Sequence, residues 1–204
     1  MPPRVTRTLP RVEPILLTPR DLPFDDPDWL FEPKYDGFRG LLYLTRTGCC
    51  IRSRRGHQLH RFDELCHWVR SELPVREAIL DGEVIALDEH GRQSFRHLVA
   101  GQGNLHYAAF DVLWVSGRDL RTLPLVRRKR ALHKLVWATS TVLSQVFTLE
   151  ERGRDMLAAA ERLDLEGVVA KRKLDSYAPE TVWYKIKNRA YTQAEGRYEL
   201  FRPR

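Results

Sequence analysis

The stretch Phe31-Glu32-Pro33-Lys34-Tyr35-Asp36-Gly37-Phe38-Arg39 decides how this chain reads. Its lysine stands between an apolar approach, Trp29-Leu30-Phe31, and a glycine turn that runs into the strand-like Leu41-Leu42-Tyr43-Leu44. An amine held in such surroundings is not freely solvated and could serve as a nucleophile. Average composition produces a K-x-D-G string about 0.05 times in a chain of this length. The string alone is therefore weak, and its weight depends on the rest of the chain.

Upstream, Pro2, Pro3, Pro10, Pro14, Pro19, Pro23 and Pro27 crowd the first 28 residues, which predicts an extended arm wrapping over the domain rather than a helix. Asp25-Asp26-Pro27-Asp28 reads as an acidic turn. Downstream, residues 40–45 and 49–53 read as a hairpin about Thr47-Gly48. Phe62, Leu65, Cys66 and Val69 fall at helical spacing, ending before Pro74. Residues 78–87 form an apolar run interrupted by Asp81-Gly82-Glu83. A helix over 94–99, a strand over 105–115, a basic amphipathic helix over 126–136, a β-branched strand over 141–148 and a helix over 153–163 follow. Strands over 167–172 and 182–187 close the series. Hairpin-like strands with helices between them, rather than regular βαβ alternation, predict an α+β domain with antiparallel sheets and flanking helices. Neither a G-x-G-x-x-G nor a Walker string is present.

The chain has 204 residues, enough for one domain with a real core. No apolar run approaches the roughly 20 residues needed to cross a bilayer, and Met1-Pro2-Pro3-Arg4 leads into no signal-peptide core. A cytoplasmic protein without membrane attachment is expected. Cys49, Cys50 and Cys66 form no obvious disulfide framework, so a reducing compartment is the simpler reading. Cys49, Cys50, His57 and His60 lack the paired spacing of a zinc site, and ordinary strand cysteines and surface histidines are the preferred account. Net charge +7 with a pI near 9.5 points to a polyanionic partner, against the plainer reading of solubility. The run Arg127-Arg128-Lys129-Arg130 is usually a solvated helix face, and with this charge balance a nucleic-acid contact is favoured.

Four places put charge where a core strand would prefer none: Lys34 with Asp36, Asp81 with Glu83, Glu166, and Lys185 with Lys187. Residues two apart on a strand share a face, so the Asp81/Glu83 and Lys185/Lys187 pairs each point one way. Two ammonium groups facing a cleft suit a polyphosphate, and carboxylates opposite suit Mg²⁺. The alternative for each pair taken singly is a solvated sheet face.

In order, Lys34-Tyr35-Asp36-Gly37-Phe38-Arg39, Ser53-Arg54-Arg55-Gly56, Asp81-Gly82-Glu83, Phe110-Asp111, Glu166-Gly167-Val168-Val169-Ala170-Lys171 and Trp183-Tyr184-Lys185-Ile186-Lys187 resemble the nucleotidyltransferase motifs of ATP-dependent DNA ligases. The resemblance runs from about Pro14 to the end of the chain. Around residues 23–31 and 120–125 it looks closest to the ligase domains of bacterial end-joining enzymes. It implies an ATP-grasp-like adenylation fold, with residues 1–22 as an extended arm and 23–204 as the adenylation domain.

It further implies that Lys34 attacks the α-phosphorus of ATP to form lysyl-AMP, with Asp36 and Arg39 acting in this and the later steps. Glu32 would lie at the adenine edge, Arg54 and Glu83 near the ribose, and Phe110 on the adenine face. Glu166, with Glu83 as second candidate, would hold Mg²⁺, and Lys185 and Lys187 would neutralise the phosphates. Desolvation and the cations Arg39, Lys185 and Lys187 are expected to favour the free amine of Lys34. Trp183 is expected in the core. AMP would then pass to a 5′-phosphate at a nick in duplex DNA. An RNA ligase, a capping-type nucleotidyltransferase and a catalytically degenerate DNA-binding module stay open beside this reading. NAD-dependent ligases share K-x-D-G but carry an additional N-terminal domain, so ATP is preferred.

The family continues from the Lys-x-Lys strand into an OB-fold domain, whereas this chain runs 17 residues past Lys187, too few for a five-stranded barrel. The segment Tyr191 to Phe201 does not read as a cut linker. A stand-alone monomeric catalytic domain is therefore expected, with a repair protein supplying the missing clamp.

Overall fold

The structure is a computed structural model that describes residues 9–137 and 140–194. The arm reading for residues 1–8 and the tail reading for 195–201 lie outside the described residues. The strands and helices in chain order are β1 (Leu17–Pro19), β2 (Asp25–Lys34), β3 (Phe38–Leu44), β4 (Cys49–Ser53), α1 (Asp63–Glu72), β5 (Ala78–Leu87), α2 (Phe95–Ala100), β6 (Asn104–Val115), β7 (Arg118–Asp119), α3 (Leu125–Leu135), β8 (Leu143–Gln145), β9 (Leu149–Arg152), α4 (Gly153–Arg162), β10 (Gly167–Arg172) and β11 (Trp183–Lys187).

Two sheets result. One has the order β1-β11-β10-β2-β9, the other β4-β3-β5-β6-β7 with β8 added beside β6. Pairing is antiparallel except for β1 with β11 and β6 with β8. Among the described residues no helix is long and apolar enough to cross a membrane.

Period-two alternation sorts each strand's side chains between two layers. On the first sheet, Trp29 and Phe31 of β2, Val168 and Ala170 of β10 and Ile186 of β11 face outward under α4, where Met156 and Ala160 pack on them. Truncating Met156 to alanine would cost roughly 2–5 kcal/mol. The interleaved residues Glu32, Lys34, Val169, Lys171 and Trp183 face the opposite way. On the second sheet, Leu42 and Leu44 of β3 with Ala78, Leu80, Val84 and Ala86 of β5 build the core with α1 and α3. Arg39, Leu41, Ile79, Asp81 and Glu83 take the other face. The polar rows of the two sheets thus look at each other across a cleft, floored by a smaller apolar cluster of Leu41, Ile79, Leu113, Val169 and Trp183.

The N-terminal segment crosses this assembly. Val12 and Ile15 are buried, and Val12 N–H donates to the Tyr43 hydroxyl at 3.0 Å. Four sequence expectations are corrected. Asp25-Asp26-Pro27-Asp28 is no simple turn but the start of β2, where the register with β9 shifts between Asp25 and Leu30. The single strand expected over 141–148 shortens to β8, which pairs with β6, and the next strand, β9, begins only at Leu149 and pairs with β2 of the other sheet. Arg128 and Lys129 are buried rather than solvated or set against DNA, because Asp111 and Glu32 stand inside to receive them. Lastly, β4 and α1 bring the Cα atoms of Cys49 and Cys66 to 5.8 Å and a disulfide joins them, leaving Cys50 free. That separation is ordinary for a disulfide, and it removes Cys49 from any zinc grouping.

Candidate active site

Lys34 ends β2, and the turn behind it can form only because Gly37 carries no side chain. A Cβ there would stand 2.2 Å from the Val84 carbonyl oxygen on β5. The chain therefore reverses tightly against β5 and sets Arg39 on β3 close to Lys34. Lys34 aligns with Gly167 on β10, which in turn aligns with Lys187 on β11. Gly167 has φ near +149° and no room for a Cβ, which would meet the Ile186 carbonyl at 2.1 Å. That close approach places Glu166 beside Lys34, and the two side chains form an ion pair with only 17% and 14% of their side-chain surface exposed.

A cavity of about 50 Å³ opens here, lined by Leu17, Glu32, Lys34, Tyr35, Arg39, Glu83, Phe110, Val169, Lys171 and Trp183 among others. Larger clefts of about 610 and 810 Å³ lie elsewhere and include neither Lys34 nor Arg39. Chemistry rather than volume identifies the site. Because a small-molecule pocket commonly measures 300 Å³ or more, a ligand of nucleotide size would need the lining side chains to move apart.

Glu32 is buried at one end of the cavity, where one oxygen accepts from Lys171 Nζ at 2.7 Å and the other pairs with Lys129 of α3. Lys171 Nζ also lies 4.0 Å from the Trp183 ring centroid and 4.3 Å from that of Phe110. Burial pulls the Lys171 ammonium down to about 8; Glu32 opposes this and Lys129 adds to it. Burial likewise pushes the Glu83 carboxyl, another residue of the lining, up to about 8. Lys34 and Arg39 pull it down, while the charges of Glu166 and Asp81 raise it further. Arg39 is gripped by the fully buried Asp81, through Nε at 3.1 Å and Nη2 at 2.7 Å.

The residues singled out from sequence are thus placed as follows. Lys34, Arg39, Glu32, Glu83 and Phe110 line one cavity, and Glu166 is paired to its lysine. Asp36 lies buried behind the turn, where its side chain accepts from the Tyr191 hydroxyl at 3.2 Å and its carbonyl from Gln93 at 2.7 Å. Lys185 and Lys187 share the strand face of Trp183 but stand outside the lining, half-buried and exposed respectively. Arg54 is exposed and lines a separate groove with Arg11, Glu13, Leu16 and Arg55. Trp183 is both core and cavity wall. The expectation that cations surround Lys34 omits its nearest partner, a carboxylate.

Sequence reasoning gave Lys171 no role of its own, set Lys129 in a basic run against nucleic acid rather than in the cavity, and passed over Tyr177. Lys171 carried a readable signal, since it ends the apolar Val168-Val169-Ala170 run on the same strand face as Val169 and Gly167. Lys129 and Tyr177 carried none, because their partners come from other elements.

Among the described residues no group of three or more His, Cys, Asp or Glu side chains could hold a metal ion. Glu83 and Glu166 lie near enough for the charge of one to act on the other, a two-carboxylate donor set of the kind that holds Mg²⁺ together with substrate phosphates rather than in an all-protein cage.

Comparison with known proteins agrees with this geometry. The family model described as the ATP dependent DNA ligase domain matches residues 22–187. The chain is 34% identical over 170 residues to the multifunctional non-homologous end joining protein LigD of Pseudomonas aeruginosa, covering 78% of this chain and 20% of that protein. It is 32% identical over 192 residues to DNA ligase C1 of Mycolicibacterium smegmatis, covering 83% of this chain and 54% of that one. The chain thus spans about half or less of these relatives. A solved mycobacterial DNA ligase D complexed with ATP and MES superposes with a TM-score of 0.72 at 28% identity, over 86% of this chain and 60% of that one. With the α+β fold, the cavity lysine and these likenesses in agreement, this chain belongs to the ATP-dependent DNA ligase domain family.

Proposed function

We propose that this domain transfers AMP from ATP, through a covalent lysyl-AMP on Lys34, to the 5′-phosphate of a nick in duplex DNA, which is then sealed. The observation that carries the reading is the Lys34 amine at the edge of a cavity that also holds Arg39, Glu83 and Phe110, with Glu166 paired to it. Lys34 Nζ forms the N–P bond to the α-phosphorus as the bond to pyrophosphate breaks, and the ammonium proton passes first to Glu166 or solvent. Glu32, fixed by Lys129 and Lys171, faces the base edge, and Phe110 covers its face. Glu83 lies toward the ribose and Arg39 toward the phosphates, with Lys185 and Lys187 at the rim for the leaving pyrophosphate. Asp36 holds the turn that aims Lys34. Catalysis of this kind is mainly positioning and charge stabilisation.

Glu166 and Glu83 would hold Mg²⁺, which when bound supplies positive charge for the triphosphate. The end-joining relatives support DNA repair, in the cytoplasm, as the proposed setting. A monomer is the proposed assembly.

Incubation with α-labelled ATP tests the core of this reading. Label should appear on the protein, chase onto nicked DNA and vanish in Lys34→Ala. Wild-type protein that takes no label at all, with intact mass showing no adenylate, sinks it. Competing GTP against ATP and nicked RNA against nicked DNA in the same assay distinguishes a capping or RNA-joining enzyme.

A further inference from the structure

We infer that Tyr177 is a positioning residue for Arg39, acting through Asp81 and through the backbone of Ile15; what Arg39 does in turn rests on the ligase reading above. Four groups from four separate parts of the sequence close into a ring of hydrogen bonds. Arg39 Nε and Nη2 donate to the two oxygens of Asp81 at 3.1 and 2.7 Å. The Tyr177 hydroxyl donates to Asp81 Oδ2 at 2.7 Å and accepts the Ile15 N–H at 3.4 Å. The Ile15 carbonyl then accepts from Arg39 Nη1 at 2.5 Å, which returns the ring to its start.

A guanidinium has five N–H groups in a fixed plane. Three of those on Arg39 are committed to this ring. The two others belong to a plane whose central carbon lies 5.4 Å from the centroids of both Phe110 and Trp183, the walls of the cavity. With each of its three nitrogens already holding one acceptor, the guanidinium keeps one N–H on Nη1 and one on Nη2 in a fixed plane, and fixed donors of this kind suit recognition of a phosphate.

Asp81 alone cannot fix that direction, since its own carboxylate plane must be held. Tyr177 does so from a place that allows it little motion. Its ring is buried, stands edge-on to Trp183 at 5.7 Å and lies 5.8 Å from the Arg128 guanidinium carbon. Its backbone N–H donates to the Arg121 carbonyl at 2.7 Å. Burial keeps the phenol protonated, so it serves Asp81 as a donor. The N-terminal arm is thereby part of the assembly around Arg39, since both backbone groups of Ile15 are spent there.

Tyr177→Phe keeps the ring and removes only the hydroxyl. The rate of lysyl-AMP formation at saturating ATP is expected to fall about tenfold, with KM for ATP within about threefold, because ground-state binding persists while alignment is lost. Solvent exchange of the Arg39 Nε–H, read by nitrogen-15 NMR on protein without nucleotide, is expected to quicken in the same variant. Tyr43→Phe is the control, because it removes the arm's other hydroxyl contact, to Val12 N–H, and touches neither Asp81 nor Arg39. Its rate is expected to stay within about twofold of wild type.

Unchanged Arg39 exchange in Tyr177→Phe overturns the proposal, as does an equal loss of rate in Tyr43→Phe. Quickened exchange in a protein whose wild type forms no lysyl-AMP would leave the bonded ring standing and defeat the ligase reading instead.

Discussion

The pairs Lys34–Glu166 and Arg128–Asp111 both join a basic side chain to a carboxylate, yet their surroundings differ in every other respect. Arg128 and Asp111 are wholly buried, meet through Nε and Nη2 at 2.9 Å each, and Arg128 Nη1 donates further to the Leu123 and Asp175 carbonyls at 2.5 and 3.0 Å. Lys34 and Glu166 make a single contact at the edge of a cavity and keep part of their surface in water. A pair whose hydrogen bonds are all satisfied inside the protein has no cheap alternative. One with a single bond and solvent access can exchange partners. The first therefore holds α3 to β6, and the second is suited to chemistry.

Replacing the partners one at a time separates these roles. Lys34→Ala should lower lysyl-AMP formation by at least about 10³-fold while moving the melting temperature by no more than a few degrees, because the pair is partly solvated. A large fall in melting temperature would mean that Lys34 is structural after all. Arg128→Met should do the reverse and cost roughly 3–5 kcal/mol, since it leaves the Asp111 charge buried alone. Adding Asp111→Leu should recover a good part of that loss. If the double variant is no more stable than Arg128→Met, the buried pair is not what fastens α3.

Glu83 sits between these extremes, and its proton makes the comparison quantitative. Its folded carboxyl holds a proton up to pH about 8, whereas the unfolded chain releases it near 4.3. Between those values the folded state binds more protons, so this group's contribution is fully present below about pH 4.3 and is lost as the pH rises toward 8. Glu83→Gln should flatten that decline and raise the melting temperature at pH 8 but not at pH 4.5. Binding of Mg²⁺ and ATP to wild type at pH 7 should also release a proton, seen as a calorimetric heat that varies with the ionisation enthalpy of the buffer. The same heat in every buffer would rule out Glu83 as one of the carboxylates proposed to hold Mg²⁺.

Much of this was legible in the chain, for a definite reason. Residues 78–87 and 167–172 are apolar runs closed by turn residues, and they are strands with those same bounds. The strand faces of Asp81/Glu83 and of Lys185/Lys187 follow from a period of two. Pairing was not legible, because it depends on which strands lie side by side. Glu166 reaches Lys34 only because β10 lies against β2. Arg128 and Lys129 belong to a basic helical run whose pattern resembles a wet face, and the carboxylates that draw them inward lie on β6 and β2.

Arg54 gives the smallest expected effect and the finest discrimination. The resemblance to ATP-dependent DNA ligases implied a ribose contact, whereas its side chain is exposed in a groove with Arg11 and Arg55, outside the lining around Lys34. On the proposed reading, an arginine in that position would add positive charge for a phosphate backbone without touching the Lys34 amine. Arg54→Ala should therefore change the rate of lysyl-AMP formation by less than about threefold. Affinity for nicked duplex should fall, and the slope of log affinity against log salt should shrink by about one unit, as for the loss of one phosphate contact. A first-step loss approaching that of Lys34→Ala, with the salt slope unchanged, would return Arg54 to the nucleotide and require the hairpin loop after β4 to swing in over the cavity.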